Sequence, residues 1–284
     1  MSVREFVPEK WSSTVLRGLE KELIFGQPGI INRDYEGEIT DSGDRVKINS
    51  ISNVTLGTYD GSDIPAASDL SAAQTELIID QQRYFNIRVK DVDKIQSNAE
   101  LMSSGMAEAA YAVRDDIDQY LSALYPDMNL VVGTEGAPQS VTTVTDAYDE
   151  VILPLKVALG ENNTPRQGRF IIVPEWFEAV LLQDDRFVSF GGSDQILNRA
   201  NGAIGRIAGF TVYVSNNVTE TSSHVGAKII SGVPQAWSLA VQIPVESMEA
   251  YRPEANFADA VKGLTLYGAK VIRSDNLAYA IVSE

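Results

Sequence analysis

The chain has 284 residues, with 23 Lys or Arg against 39 Asp or Glu, a formal net charge of -16 and a sequence pI near 4.5. That sign excludes a nucleic-acid grip or docking on anionic lipid, since both draw their affinity from clustered cations. Cysteine is absent and histidine occurs once, at His224, which excludes disulfides, thiolate metal sites, a cysteine nucleophile and any scheme needing two imidazoles. A Ser-His-Asp arrangement survives only with His224 as its base. With 44% hydrophobic residues the chain has enough apolar material for a core of one or two folding units. Met1 to Gln27 interleaves Arg4, Glu5, Glu9, Lys10 and Arg17 with apolar residues, unlike a signal peptide. No stretch approaches the roughly 20 apolar residues that span a bilayer. The expectation is a chain made and kept in a cytoplasm, or in something assembled there.

The first forty residues read as an arm. A short helix is expected through Val15, Leu16 and Leu19, capped from Ser12 or Ser13, followed by a Gly- and Pro-punctuated extended segment. Trp11, Phe25, Ile30, Ile31 and Tyr35 cannot bury themselves within such an arm and need another surface. Residues 44–90 read as a long two-stranded excursion. Val46 and Ile48 share a face of the outgoing strand. The return runs from Thr75 to Val89, with Leu77 and Ile79 on one face, Phe85, Ile87 and Val89 on the next, and a bulge near Gln81–Gln82. The polar loop between them, Asn53 to Ala73, is longer than compact domains usually carry.

Ser97-Asn-Ala-Glu100 is a capping-box pattern, and from there Met102, Met106, Ala109, Val113, Ile117, Tyr120 and Leu124 recur at helical spacing. Asp115, Asp116, Asp118 and Gln119 lie off that stripe. The pattern predicts a helix of about 40 Å over Asn98 to Leu124, stopped by Pro126. Tyr148, Val151, Leu155, Ala158 and Leu159 predict a second helix, bent or interrupted at Pro154. Arg169–Pro174 reads as a buried strand, and Glu175–Gln183 as a short helix with Phe177, Val180 and Leu181 inward. Phe210–Ser215, Ala227–Ser231, Val245–Ala250, Gly263–Arg273 and Leu277–Val282 read as strands, and Trp237 is expected on a helix starting near Pro234. The mixture is α+β, without regular βαβ alternation or an internal repeat.

No constellation carries chemistry. His224, in Thr221-Ser-Ser-His-Val-Gly, reads as a solvated loop histidine. Gly202, Gly205 and Gly209 lack the dinucleotide spacing, and no Lys-Ser/Thr follows them as a phosphate loop requires; they read as a turn into the Phe210 strand. Asp60, Asp63 and Asp69 miss calcium-loop spacing. Asp115-Asp116 and Asp184-Asp185 are adjacent in sequence and point apart on a helix, which gives no shared proton. Asn53-Val-Thr carries no meaning as a glycosylation site in a cytoplasmic product. The sequence therefore offers no catalytic, cofactor-binding or metal residues. The remaining signals are architectural: an arm and an excursion that need a partner surface, as in chains that interlock with copies of themselves.

The order of these features resembles the major capsid proteins of tailed bacteriophages, with their Hong Kong 97-type coat fold. Phe6-Val-Pro-Glu-Lys-Trp-Ser, Asn32-Arg-Asp-Tyr-Glu-Gly-Glu-Ile and Gly43-Asp-Arg-Val-Lys-Ile are similar to the amino-terminal arm and the start of the loop in one coat-protein group. Asn201-Gly-Ala-Ile-Gly-Arg-Ile-Ala-Gly-Phe-Thr-Val-Tyr-Val-Ser-Asn-Asn-Val and Leu266-Tyr-Gly-Ala-Lys-Val-Ile-Arg are similar to its later segments.

The resemblance implies an α+β fold with an arm at 1–35, an extended β-hairpin loop at 36–92 and a peripheral domain with a long spine helix at 93–140. An axial domain at 141–248 and a return to the peripheral domain at 249–284 complete that layout. It implies a structural protein, not an enzyme, that self-assembles into hexamers and pentamers of an icosahedral head. The head encloses double-stranded DNA without binding it specifically. Implied partners are sister copies, a portal and, since no long charged helical prefix is fused to the chain, a separate scaffolding protein; a decoration protein is left open. The location implied is the virion capsid, assembled in the host cytoplasm, with no membrane partner and no cofactor. Some relatives crosslink a loop lysine to an asparagine of a neighbour. Here no lysine lies between Lys47 and Lys90, so a non-crosslinked shell is expected. The alternatives are an encapsulin-type nanocompartment shell and, remotely, an acidic cytoplasmic hydrolase using His224.

Overall fold

A computed structural model describes residues 23–35, 45–51, 72–90, 101–184, 203–221, 226–242, 249–254 and 257–283. The expected helix over Val15–Leu19, most of the Asn53–Ala73 loop and the Ser97–Glu100 capping box lie outside the described residues.

Two sheets organise the chain, and the strands at the centre of both come late in the sequence. In the first, β12 (Ala258–Val271) runs down the middle. Along one edge lies β3 (Gln81–Lys90), antiparallel, with Ala258 opposite Lys90 and Tyr267 opposite Gln81. Along the other edge β10 (Trp237–Gln242) and β11 (Glu249–Tyr251) lie end to end. Val261 faces both Ile87 and Ala250, and Leu266 faces both Gln82 and Gln242, which fixes β10 and β11 on the edge away from β3.

The second sheet has seven strands. Its order is β4 (Leu130–Val132), β13 (Leu277–Ser283), β9 (Gly226–Gly232), β6 (Arg169–Val173), β8 (Phe210–Val214) and β7 (Ala203–Ile207). β5 (Gln139–Ser140) continues along the β13 edge that β4 begins. β12 and β13, both in the stretch expected to return to the peripheral domain, thus belong to different sheets. β6 is apolar along Phe170–Val173 because both faces are covered, and its side chains alternate between two cores. Phe170 and Ile172 join the core beneath the long helix, whereas Ile171 and Val173 join the one beneath two shorter helices.

The long helix, α1 (Leu101–Ser122), lies against β3 and β12, with Met106, Ala109, Val113 and Ile117 buried as the stripe predicts and Leu121 buried beside them. At Gly105 the helix packs tightly on β3: a Cβ there would sit 3.3 Å from the Ile87 side chain. α1 stops short of the expected end, and Pro126 falls within a 3-10 turn over Tyr125–Asp127. The second helix is interrupted as expected. A π-helical turn over Ala147–Ile152, in which the Leu153 N–H donates to the Tyr148 carbonyl, precedes α2 (Leu153–Glu161) and leaves Pro154 in the first turn. α3 (Glu175–Leu181) buries Phe177 and Leu181 and leaves Val180 half-buried.

Three expectations are corrected. The return strand of the excursion is two strands: β2 (Ala72–Ile78) pairs with β1 (Arg45–Ile51), while β3 leaves that ribbon to pair with β12. What reads in sequence as a bulge near Gln81–Gln82 is a change of partner. Trp237 is on no helix: Pro234–Ala236 form a 3-10 turn and Trp237 opens β10, because the chain must extend at once to pair with Val271. Asp118, which the stripe leaves on the solvent side, is buried at 4% exposure, because a segment far away in sequence covers it.

Candidate interaction surfaces

The described part of the arm, Leu23 to Tyr35, crosses the body as a strap. Leu23, Phe25, Ile30 and Ile31 are fully buried in the core shared by α1, β10 and the seven-stranded sheet. A turn closed by the amides of Ile30 and Ile31 on the Gln27 carbonyl (both 2.9 Å) brings the chain to β10. There the Asn32 N–H donates to the Trp237 carbonyl at 3.2 Å, and its carbonyl accepts from the Leu239 N–H at 2.9 Å. This one-residue parallel bridge covers part of an edge that would otherwise be an unpaired template. Trp237 is the meeting point. Its ring stacks on Phe170 at 5.9 Å, meets the edge of Phe25 at 6.5 Å, and its Nε1–H donates to the Ile30 carbonyl at 2.6 Å.

Asp118 is the polar end of the same contact. Its Oδ2 accepts from the Ile24 N–H at 3.1 Å, the next two strap amides, of Phe25 and Gly26, favour its charged form, and Oδ1 has no partner. Burial pushes the carboxyl up to about 7; the three amides pull the other way, and Asp115 adds to the rise. Two residues earlier, Asp116 accepts from Arg83 Nε at 2.8 Å and from the Tyr267 hydroxyl, which ties α1 to β3 and β12. Burial and then Asp116 push the Tyr267 phenol up.

Two buried cations brace the seven-stranded sheet. Lys228 Nζ lies 2.7 Å from Glu135, donates to the Tyr125 hydroxyl at 2.9 Å and sits 4.1 Å from that ring's centre. Burial lowers its affinity for a proton, but Glu135 and Tyr125 outweigh that and the net shift is upward. Arg169 donates to the carbonyls of Pro165 (2.9 Å) and Thr164 (2.7 Å) just beyond α2, where a cation also suits the helix dipole. On the surface, Asp146 accepts from the amides of Thr142 and Thr143 and from both hydroxyls, and those donors, Thr143 first, hold its carboxyl below the usual range. All three are structural clamps.

The β1–β2 ribbon rests on the first sheet by its root. Val46, Ile48, Leu77 and Ile79 pack on Ala240 and Leu266. Gly268 sits beneath the point where β2 gives way to β3, and a Cβ there would collide with the Ile78 carbonyl and the Ile79 Cα. Farther along β3, Gln82, Tyr84, Asn86 and Arg88 face outward. Tyr84 is 83% exposed, as is Phe257 at the start of β12. Apolar rings left in water at that level are candidates for burial by another molecule.

The residues weighed for chemistry do not gather. Asp115 accepts from Gln119 while Asp116 turns to the sheet, so the pair points apart. Asp184 is buried and Gly205 lies within β7. Ala208 (φ 51°) and Gly209 (φ 94°) form the two-residue turn from β7 into β8, a hairpin connection and no phosphate cradle. His224, Asp60, Asp63, Asp69, Asp185, Gly202 and Asn53-Val-Thr lie outside the described residues. Among the described residues no three His, Asp or Glu side chains could hold a metal ion, and no helix is long and apolar enough to cross a membrane. Lys228 was detectable in sequence as a lone charge in the apolar run Ala227–Ile230, whereas Asp118 and Trp237 were not, since their partners come from the strap.

Comparison with known proteins separates fold from function. The family model described as phage capsid protein matches residues 74–281. No curated protein matches the chain. Among solved structures, a chain from Mycobacterium phage Che8 is similar at a TM-score of 0.70 and 22% identity, covering 91% of this chain and 90% of its own. The capsid structure of cyanophage P-SCSP1u is similar at 0.66 and 16%, covering 86% and 85%. A virus-like particle from Pyrococcus furiosus is similar at 0.56 and 14%, covering 96% and 98%.

Proposed function

The chain belongs to the phage capsid protein family, and from that premise we propose that it forms hexamers and pentamers of an icosahedral head around double-stranded DNA. The observation that carries the reading is the family match over residues 74–281, joined to a fold shared along nine-tenths of the chain with a phage structure. The layout follows the elements: an arm through about residue 35, a loop built on β1 and β2, and a peripheral body of α1, β3 and β10–β12. The seven-stranded sheet with α2 and α3 forms an axial body that meets its copies at capsomer centres. Ribbon and outward aromatics then supply the joints between subunits.

A net charge of -16 per subunit gives a wall that does not adhere to phosphate, so DNA can be packed and expelled. We read the shell as held without covalent crosslinks, built in the host cytoplasm with a separate scaffolding protein and a portal. Negative-stain electron microscopy of the purified chain tests the reading directly. Shells or capsomer rings are expected, and a population of small oligomers alone would overturn it. Efficient closure of regular shells by this chain expressed alone would remove the scaffold from the scheme. A second reading, an encapsulin-type compartment, draws on the likeness to the Pyrococcus furiosus particle. The contents of native particles decide between them: DNA for a head, an enclosed enzyme for a compartment.

A further inference from the structure

Among the described residues, Asp118 is the ionisable side chain that keeps a buried polar atom without a hydrogen-bond partner. Its Oδ2 accepts from the Ile24 amide of the strap, through a contact between residues 94 positions apart, and its second oxygen, Oδ1, is buried with no partner. We infer that the strap from Leu23 to Asn32 is a proton-dependent latch: it grips α1 while Asp118 carries a proton and loosens when Asp118 ionises. The inference concerns the subunit itself and holds whatever the subunit assembles into.

The reasoning is a comparison of two costs. Ionised and docked, Asp118 leaves half of its charge in an apolar core with no donor, near the end of α1 where the helix dipole opposes an anion. Protonated and docked, it buries an unpaired hydroxyl, which costs much less, and Oδ2 still accepts from the strap. Undocking returns both the carboxylate and the strap amides to water, so ionisation favours release.

The surroundings do not change that sign. The strap has no ionisable side chain from Leu23 to Asn32, and neither does β10. On α1, Asp115 repels the charge; Arg114, buried on the same helix, lies 5.4 Å from the Tyr111 ring. On the strands behind, Tyr267 is turned to Asp116, Lys270 to Asp127, Lys262 to Glu249, Lys228 to Glu135 and Arg169 to backbone carbonyls. The Tyr213 hydroxyl lies against Gly29. Since burial raises the docked carboxyl to about 7, the extra grip is complete below the ordinary carboxylate value and is lost as the pH rises through about 7.

Hydrogen exchange on the full chain as purified, from pH 5.5 to 8.5 and corrected for intrinsic rates, tests this. Protection of the Ile24–Ile31 amides should fall about tenfold between pH 6 and 8.5, while β6 amides hold theirs. Asp118→Asn should flatten the profile of the strap, and Asp115→Asn, which leaves the latch intact, should move the midpoint to lower pH. A strap profile that is flat in the wild-type chain, one that tightens with pH, or one that β6 follows in step would each overturn the latch.

Discussion

A single indole shows how much one side chain can hold together. Trp237 joins strap, β10 and β6, and Trp237→Phe removes the donor to the Ile30 carbonyl and opens space between Phe25 and Phe170. The expected loss is about 2–4 kcal/mol, read from the denaturant midpoint of the dissociated subunit. Lys228 allows a sharper comparison. Lys228→Met exchanges a buried ammonium for an apolar chain of similar length and should cost about 1 kcal/mol or less, whereas Glu135→Ala strands the buried charge and should cost about 1–3 kcal/mol. If the two variants melt alike, the ion pair does not brace β9. Of these residues only Lys228 was legible in the sequence, because a charge inside an apolar run is visible locally. Asp118 sits beside a helical stripe that ends its influence at the helix surface, and nothing along α1 announces that residues 23–26 will cover it.

At the level of elements, periodicity carried the reading where an element is long and covered on one side. The α1 stripe and the Val46/Ile48 face follow from it, and the strands at 169–173, 210–214 and 277–283 follow from short apolar runs instead. Pairing did not. β2 and β3 have compatible patterns and only two residues between them, and which sheet each joins is decided by β12, nearly two hundred residues later. Gly268 is the price of that junction, and it predicts an asymmetry. Gly268→Ala drives a methyl into the Ile78–Ile79 backbone and should destabilise by about 1–3 kcal/mol, with faster proteolysis of the ribbon. Gly160→Ala, in α2 with nothing within 4 Å, should instead stabilise by about 0.5–1 kcal/mol. Thermal melts of the two variants in opposite directions would bear this out, and equal losses would contradict it.

For the whole molecule the dominant quantity is charge. Subunits of -16 repel, and screening shortens that repulsion from about 10 Å at 0.1 M salt to about 3 Å at 1 M. Light scattering should therefore find a lower threshold concentration for assembly as sodium chloride is added, and a threshold that rises with salt would contradict an interface won against like charge. Mature particles should run as one band in a denaturing gel, since no lysine lies between Lys47 and Lys90 from which a crosslink ladder could grow. The central position of β12 and β13 has a temporal consequence. The first sheet cannot close until β12 has left the ribosome and the second until β13 has, so nascent chains keep α1, β3 and the strap waiting without their partners. Subunits therefore enter the pool of assembling copies only after translation has passed that point, and chains cut short on the ribosome lack the strands needed to join, and so to poison, a growing lattice.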